Sequence, residues 1–552
     1  MYKLFLCLRY LRRRVIAYFA MIGVALCVAM MLIVVSVMNG FLHKIEIAAK
    51  GLFGDIVIDS GSAKGMSRYD EFLDYLQREV PEVQAGSPFI LTYGILTLPG
   101  TTHQQGVQIA GIRLPERAAV SDFAQGLHFE KGMAPTFDPP PEVLIAGLER
   151  EIRYTQDIAR QLEEGDMSAW PPEKQRLWDS VMFALMGQRE ALSRIKNAPS
   201  VQKELDELKA KVQDARDRKQ DAQADELEKQ FRRLQRGAIR GPDDRVVLGL
   251  GLQSLSFRTP SGQTLRAVVP GDSITLTFVP LGKRLSLADI APTDRTFTIV
   301  DDCKTGVSSI DSGIVYIPFE TLQSLNNMAP ADGAATNPAA ARCGQLHLKV
   351  RDDCSATERQ LEQVCAKVQR AWAQFEREHP DAAERGISIE TWRQRQAPLV
   401  SQIESQRTLV VIMFGVISLV AVALVFVLFY TIVVQKTKDI GVLKAIGASS
   451  GGVAGIFLAY GAAIGLAGSA VGTVIGYVFV LNINPIHDWI GRTFGFTVWN
   501  REWFMFDKIP NEVELVPALV IVAGAVLAGL AGSLLPAALA ARMQPVEALR
   551  YE

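Results

Sequence analysis

The sequence predicts a membrane protein with four transmembrane α-helices and a large external α+β domain, which is interrupted by a helical or coiled-coil insertion. Two observations predict this fold class. One long apolar run lies near the N-terminus and three lie near the C-terminus. The residues between the first run and the other three have the composition of a soluble domain. The predicted order is therefore one helix, the large domain between the first and second helices, and three more helices.

Each predicted span can cross the hydrocarbon layer, which is about 30 Å thick, at about 1.5 Å per residue. The first span, 15–42, is nearly twice as long as the apolar region of a cleavable signal peptide, so we expect it to be retained. The predicted segments are 1–14 (N-terminal segment), 15–42 (first helix), 43–147 (external domain, first part), 148–240 (insertion), 241–407 (external domain, second part and return helix), 409–434 (second helix), 435–452 (loop), 453–481 (third helix), 482–515 (loop), 516–541 (fourth helix) and 542–552 (tail).

Lysine and arginine residues in the short flanking segments orient these helices. Ten lie in the N-terminal segment, the 435–452 loop and the tail, against three in the 482–515 loop. The positive-inside rule therefore places both termini and the 435–452 loop in the cytoplasm and 43–407 outside. No predicted span contains Asp, Glu, Lys or Arg, which disfavours an ion-coupled transporter.

The third span carries glycines at near four-residue spacing. Gly461 and Gly465 form a GxxxG motif, and Gly468, Gly472 and Gly476 continue the series. Such a series lets another helix backbone approach one face closely. The alternative is that glycine is simply common in membrane helices, and we predict helix packing at these five positions.

Strand-like and helix-like segments on both sides of the insertion predict one α+β domain to which the chain returns. The predicted strands are 55–59, 89–98, 245–250, 265–269, 273–278, 296–300, 313–317 and 346–350, and the predicted helices are 69–80, 355–378 and 391–405.

The insertion is rich in charged, helix-forming residues. Helices are predicted near 149–163 and 172–196, and a third from 201 to 235 carries apolar residues at the 4-3-4-3 spacing of a coiled coil. We expect a hairpin or coiled coil that projects from the domain, so that replacing 149–236 with a short linker leaves a folded chain. It serves either as a docking arm for an external protein or as a solvated spacer.

Composition and motifs exclude several functions. A formal net charge of -1 argues against a nucleic-acid partner. Since no GxxxxGK[ST] or HExxH motif occurs, we expect this chain to be no enzyme and to hold no cofactor or metal of its own. The cysteines predicted to be external can form disulfides or stay free, and the sequence does not choose: Cys303, Cys343, Cys354 and Cys365.

The 435–452 loop has the most informative local sequence. Ile440, Leu443, Ala445 and Ile446 predict the apolar side of a short amphipathic helix, 440–446, that lies on the membrane surface or fits a groove on a partner. The segment from Val434 to Ser449, followed by a glycine-rich span, resembles the FtsX-like (MacB-type) ABC permeases, in which a short coupling helix contacts the ATPase subunit. The resemblance implies this contact for Lys438, Asp439, Ile440, Gly441, Leu443, Lys444 and Gly447.

Other segments extend the resemblance. The tail from Met543 to Glu552 is similar to the closing motif of that family, which is matched here by Pro545, Glu547, Leu549 and Arg550. Within the family, the lipoprotein-releasing permeases of the LolC and LolE type are resembled by three segments, 37–41, 305–318 and 391–393.

This resemblance implies a permease subunit in the cytoplasmic (inner) membrane, surrounded by lipid and paired with a second copy or a homologue. A separate cytoplasmic ATPase would bind ATP and Mg, and its action would move the periplasmic domain, a mechanism called mechanotransmission, to release or export a lipoprotein or other envelope client. The alternatives are a MacB-like efflux permease with a periplasmic adaptor, an FtsX-like regulator of a cell-wall hydrolase, and a membrane-anchored structural or sensory protein with no ATPase.

Overall fold

The chain forms two units in a computed structural model that describes residues 15–544 apart from 63, 99–103, 164–169, 219–220, 238–240, 253–255, 259–263, 279–291, 306–307, 331–340, 383–385, 436 and 495–507. The helical unit comprises the chain up to Glu46 and from Ala397 onwards. The α+β unit comprises Ile47–Gln396.

The first helix, α1 (Val15–Phe53), is longer than the predicted span, which ends at residue 42. The additional residues include Lys, Glu and Ala, which favour a helix. The helix ends where Gly54 adopts a φ of +72°, a left-handed conformation that glycine reaches without strain.

The α+β unit begins at Ile47, within the last turns of α1. Its strands are β1 (Ile56–Asp59), β2 (Met66–Ser67), β3 (Val83–Thr97), β4 (Gln104–Ile112), β5 (Arg245–Gly249), β6 (Ser256–Arg258), β7 (Thr264–Arg266), β8 (Ser273–Phe278), β9 (Thr293–Cys303), β10 (Ile314–Pro318), β11 (Arg342–Cys343), β12 (Gln345–Val350) and β13 (Ser388–Thr391). Its helices are α2 (Tyr69–Glu79), α3 (Leu114–Val120), α4 (Phe123–Gly126), α5 (Pro141–Leu162), α6 (Pro172–Asp217), α7 (Asp221–Gly237), α8 (Ser308–Asp311), α9 (Phe319–Leu325), α10 (Asp352–Ser355), α11 (Glu358–Glu378) and α12 (Trp392–Arg395).

One large sheet organises this unit, with the strand order β13-β1-β12-β3-β4-β10-β5-β9-β8. The 15 residues of β3 are long enough to pair with β12 near Phe89 and with β8 near Leu96. Because β8 pairs with both β3 and β9, six strands form a closed ring in the order β3-β4-β10-β5-β9-β8. Each segment predicted as a strand overlaps an observed one, whereas β2, β4, β6, β11 and β13 were not predicted.

The base of the insertion belongs to the core of the α+β unit, which corrects the expectation of a projecting arm. Leu148 on α5 and Ala191 and Ile195 on α6 are buried with Val269, and Val181 is buried with Leu265. Replacing 149–236 would remove this packing, so the chain is not expected to stay folded.

The outer part of the insertion is a helical hairpin. The structure joins the predicted 172–196 helix and the first part of the predicted 201–235 helix into one helix, α6, which runs through Pro199. The rest of the predicted 201–235 helix forms α7, which packs back along α6 after a short connection. Arg216 on α6 forms an ion pair with Glu228 on α7. Among the described side chains of this part, Leu205, Ala215 and Ala224 are buried. The residues that project are therefore those beyond about residue 197.

The helical unit continues with α13 (Ala397–Gln435), α14 (Thr437–Ala445), α15 (Ser450–Leu481), α16 (Ile483–Phe494) and α17 (Leu515–Arg542). In the described part of the chain, three helical segments are long and apolar enough to cross a membrane: Tyr18–Ile47, Ser450–Leu481 and Leu515–Arg542. The remaining predicted span, 409–434, lies within α13, where the described residues include a shorter apolar stretch, Val425–Gln435. The count of four spans therefore stays a prediction.

The five glycines of α15 lie against two other helices. A Cβ built on Gly465 would lie 3.0 Å from the Val526 Cα on α17, and Gly461 faces the same helix. Gly468, Gly472 and Gly476 instead lie against α1. These contacts place α15 between α1 and α17.

Replacing Gly472 with Leu is expected to destabilise the helical unit by about 1–3 kcal/mol, because the new side chain would meet the backbone of Ala25 and the side chain of Val28. Gly455→Leu is the matched control, since a Cβ there has nothing within 4 Å. Size-exclusion chromatography and thermal unfolding of the purified chains compare the two. Equal behaviour of the two variants would contradict the observed packing.

Candidate functional site

The short helix α14 is anchored to the ends of the long helices. Ile440 is 3% exposed and packs with Val433 on α13, Val453 on α15 and Ala540 on α17. Gly441 is also buried. One side of α14 therefore packs against three long helices of the helical unit.

Lys444 attaches α14 to the end of α17. Its Nζ donates hydrogen bonds of 2.7 Å to the carbonyl oxygens of both Ala541 and Met543. The last carbonyl groups of a helix have no partner within the helix and carry partial negative charge, so a lysine ammonium stabilises them. A displacement of α14 therefore pulls directly on α17.

The turn after α14 is tightly defined. Gly447 has a φ of +104°, the Gly447 N–H donates to the Lys444 carbonyl, and the Ala448 N–H donates to the Leu443 carbonyl. This pair of bonds is the Schellman arrangement that closes a helix. Ser449 then begins α15, its hydroxyl accepting a hydrogen bond from the Gly452 N–H at 3.1 Å.

The opposite side of α14 presents an apolar surface. Val442, Leu443 and Ile446 are 46%, 37% and 81% exposed, and we call these three residues the exposed apolar patch. Lys438 and Asp439 are exposed beside it. The arrangement can seat an amphipathic helix in the groove of a partner or against lipid.

The structure changes the predicted apolar side of α14. The sequence grouped Ile440 with Leu443 and Ile446, but residues six apart in a helix of 3.6 residues per turn lie on different faces. Ile440 accordingly points into the unit, and Val442, which the sequence interpretation did not select, is exposed. The signal available in the sequence was the pairing of Val442 with Ile446 at a spacing of four.

The other predicted site residues are those of the tail and the four external cysteines. The tail residues lie outside the described residues: Pro545, Glu547, Leu549 and Arg550. The cysteines that were candidates for disulfides are all free, with no bridge among them in the structure: Cys303, Cys343, Cys354 and Cys365. Among the described residues, no group of three His, Cys, Asp or Glu is placed to hold a metal ion.

A buried polar cluster lies at the base of the insertion. The Asp301 carboxylate is fully buried and accepts hydrogen bonds from the backbone N–H groups of Phe129 and Glu130, each at 2.9 Å. Glu130 is 2% exposed and accepts a 2.9 Å bond from the Thr136 N–H. Burial raises the pKa of both carboxyl groups to about 7. The turn that leads into α5 is therefore built on two acids that ionise reluctantly.

Replacing Glu130 with Gln is expected to flatten the pH dependence of stability. With a pKa raised to about 7, the folded chain holds this proton more tightly than the unfolded chain, so stability falls as pH rises from about 5 to 8. The Glu130→Gln variant lacks this contribution. The difference between its thermal unfolding midpoint and that of the parent chain should therefore increase with pH. Thermal unfolding measured across that range tests this, and parallel curves would contradict it.

Comparison with known proteins bears on the helical unit most directly. Residues 411–545, which include α14, match the family model described as FtsX-like permease C-terminal. The lipoprotein-releasing system transmembrane protein LolC of Xylella fastidiosa (strain 9a5c) is 25% identical over 261 residues, which cover 47% of this chain and 56% of that protein. LolC of Neisseria meningitidis serogroup B is 23% identical over 310 residues, covering 56% of this chain and 65% of that protein.

A third relative is named for a different activity, macrolide export. The macrolide export ATP-binding/permease protein MacB of Chlorobaculum tepidum is 32% identical over 120 residues, which cover 22% of this chain and 15% of that protein. This chain spans little more than half the length of the LolC protein of Xylella fastidiosa. Its sequence resembles FtsX-like ABC permeases of the LolC kind, and its apolar helices and large α+β region fit a membrane permease.

Proposed function

We propose that this chain, whose C-terminal part matches the FtsX-like permeases, is a permease subunit that couples a separate ABC ATPase to movements of its α+β unit. The observation that carries the proposal is the geometry of α14. Its exposed apolar patch faces outward, while Ile440 and Lys444 attach the helix to α13, α15 and α17. A partner that binds and moves the patch would therefore move those helices.

The proposed topology has four spans with both termini in the cytoplasm. α13 supplies the second span, and the 10-to-3 distribution of basic residues in the short flanks orients the helices. The LolC relatives are described as transmembrane proteins of a lipoprotein-releasing system. We place this chain likewise in the inner membrane, with its α+β unit on the periplasmic side.

Impermeant cysteine labelling tests that topology. In a cysteine-free background, Lys64→Cys is expected to react in intact cells with a permeabilised outer membrane, and Ser449→Cys only after lysis. Both positions are exposed, so accessibility depends on the side of the membrane. Labelling of Ser449→Cys alone in intact cells would reverse the orientation.

A second permease copy or a homologue completes the proposed assembly, because two α14 helices are needed for two ATPase subunits. The helical unit has apolar surface available for such a copy and for lipid. On α13 the exposed residues include Leu409, Ile412, Met413, Val416, Leu419 and Val420.

The client follows from the LolC likeness. We propose release or export of a lipoprotein or another envelope client, with the projecting hairpin of α6 and α7 as a docking arm for an external protein. An efflux permease with a periplasmic adaptor is the alternative supported by the MacB match.

Reconstitution tests the proposed function. The full chain is co-expressed with the ABC ATPase encoded nearest to it, purified and placed in nanodiscs. We expect a stable complex whose ATP hydrolysis differs from that of the free ATPase. Absence of both a complex and any change in hydrolysis would favour a membrane-anchored protein without an ATPase.

A further inference from the structure

The α+β unit connects to the rest of the chain through two neighbouring strands. β1 begins shortly after α1 ends, and β13 precedes α12 and α13. These strands are antiparallel, with Ile56 opposite Thr391 and Asp59 opposite Ser388. Both connections therefore reach the unit at the same end of one short ladder.

The first connection is held by Asp55. This residue is fully buried, and its Oδ2 accepts a 2.9 Å bond from the Val350 N–H and pairs with Lys349 at 3.3 Å. Its carbonyl accepts a 3.0 Å bond from the Trp392 N–H. Asp55 thus joins β12, β1 and the first residue of α12.

The second connection turns back over the first. Thr391 caps α12 through reciprocal hydrogen bonds with Gln394, so the chain leaves the direction of β13. This turn brings Arg395 to Asp59, at the far end of β1, where the two side chains form an ion pair. Without the turn, a residue four positions beyond Thr391 would lie away from Asp59.

Asp59 is connected in turn to β12 and α3. Its carboxylate accepts a 2.9 Å bond from Gln345 Nε2, and Gln345 Oε1 lies 3.0 Å from His347 Nε2. His347 Nδ1 lies 2.7 Å from Arg117 Nη1. Because a guanidinium only donates, Nδ1 must accept and Nε2 must carry the proton that bonds Gln345. Burial and Arg117 lower the pKa of His347, which keeps this ring neutral.

We propose that Asp59 and Arg395 form a lock that holds β1 and β13 together, so that α1 and α13 move the α+β unit as one body. The inference rests on the proposed function and names the residues that transmit the movement. A ladder of four residue pairs loaded at one end opens bond by bond. The lock crosses that ladder, because Arg395 follows Thr391 in the chain but pairs with Asp59 at the other end of β1. Separating Thr391 from β1 therefore also requires breaking this ion pair.

The test uses the full chain with its ATPase in nanodiscs. Spin labels on Ser401 of α13 and Glu142 of α5, both exposed, report distance changes when ATP and vanadate are added. Asp59→Asn is expected to reduce the nucleotide-dependent shift at least about twofold, while ATP hydrolysis continues. Arg395→Gln should do the same and leaves the Asp59 to Gln345 bond in place.

Asp244→Asn is the matched control. Asp244, which directly precedes β5, pairs with Arg295 on β9. Their side chains are 26% and 32% exposed, compared with 18% and 32% for Asp59 and Arg395. If Asp59→Asn or Arg395→Gln showed the same nucleotide-dependent distance change as the parent chain, the lock would be overturned. A parent chain that shows no shift and binds no ATPase would overturn the proposed function, and the lock with it, before any variant is compared.

Discussion

Leu443→Asp is expected to weaken binding of the ATPase about a hundredfold or more, which corresponds to about 3 kcal/mol. Leu443 lies within the exposed apolar patch, so a partner groove that buries it would have to accept an unpaired carboxylate. The helix itself should persist, because Ile440 and Lys444 hold it from the other side. Affinity measured between the nanodisc-embedded chain and purified ATPase gives the result.

Ser450→Asp is the control for this change. It adds the same charge at an exposed position of the same loop, at the first residue of α15, where a helix N-terminus favours a negative group. Binding should remain close to the parental value. If Leu443→Asp also bound the ATPase normally, α14 would be a helix that lies on the membrane surface.

Replacing residues 149–236 with a Gly/Ser linker is expected to abolish folding of the α+β unit. The replacement removes residues that are fully or almost fully buried, including Val181, Ala191 and Ile195. It also removes Glu151, which is 3% exposed and pairs with Arg266. Breaking a buried ion pair of this kind costs about 3–5 kcal/mol, and each lost core side chain adds to that cost.

A shorter replacement serves as the control. Exchanging 208–235 for a short Gly/Ser linker removes most of the α6 and α7 hairpin and leaves the buried base intact. This variant should fold and hydrolyse ATP with its partner, while release of the client in cells should fall. Chromatography, ATP hydrolysis and envelope integrity report the three properties. Full function in cells would identify the hairpin as a spacer, and unfolding would place it in the core.

Properties that depend on neighbouring residues were predictable from the sequence. Apolar runs located the segments now seen as α1, α15 and α17, and alternation located β8 at the bounds that the structure has. β13 was missed because a four-residue strand owes its existence to pairing with β1, more than 300 residues earlier in the chain. The lock between Asp59 and Arg395 depends on the same long-range pairing.

The insertion and α14 show a second limit of sequence patterns. Apolar spacing in α6 does not distinguish a stripe that faces α7 from one that faces α5 and Val269, and the structure uses both along the same helix. In α14 the apolar residues surround most of the helix, so only tertiary packing decides that Ile440 is buried and Ile446 is exposed.

Photo-cross-linking from Ile446 tests the central claim most directly. This residue is 81% exposed in the exposed apolar patch, so a benzophenone amino acid placed there should react with whatever covers it in the cell. The same probe at Leu534 of α17, which is 60% exposed, is the control for lipid-facing positions. We expect Ile446 to yield an adduct with an ABC ATPase, identified by mass spectrometry, and Leu534 to yield none. Adducts with lipid alone at Ile446 would contradict the assignment of α14 as the helix that receives the ATPase.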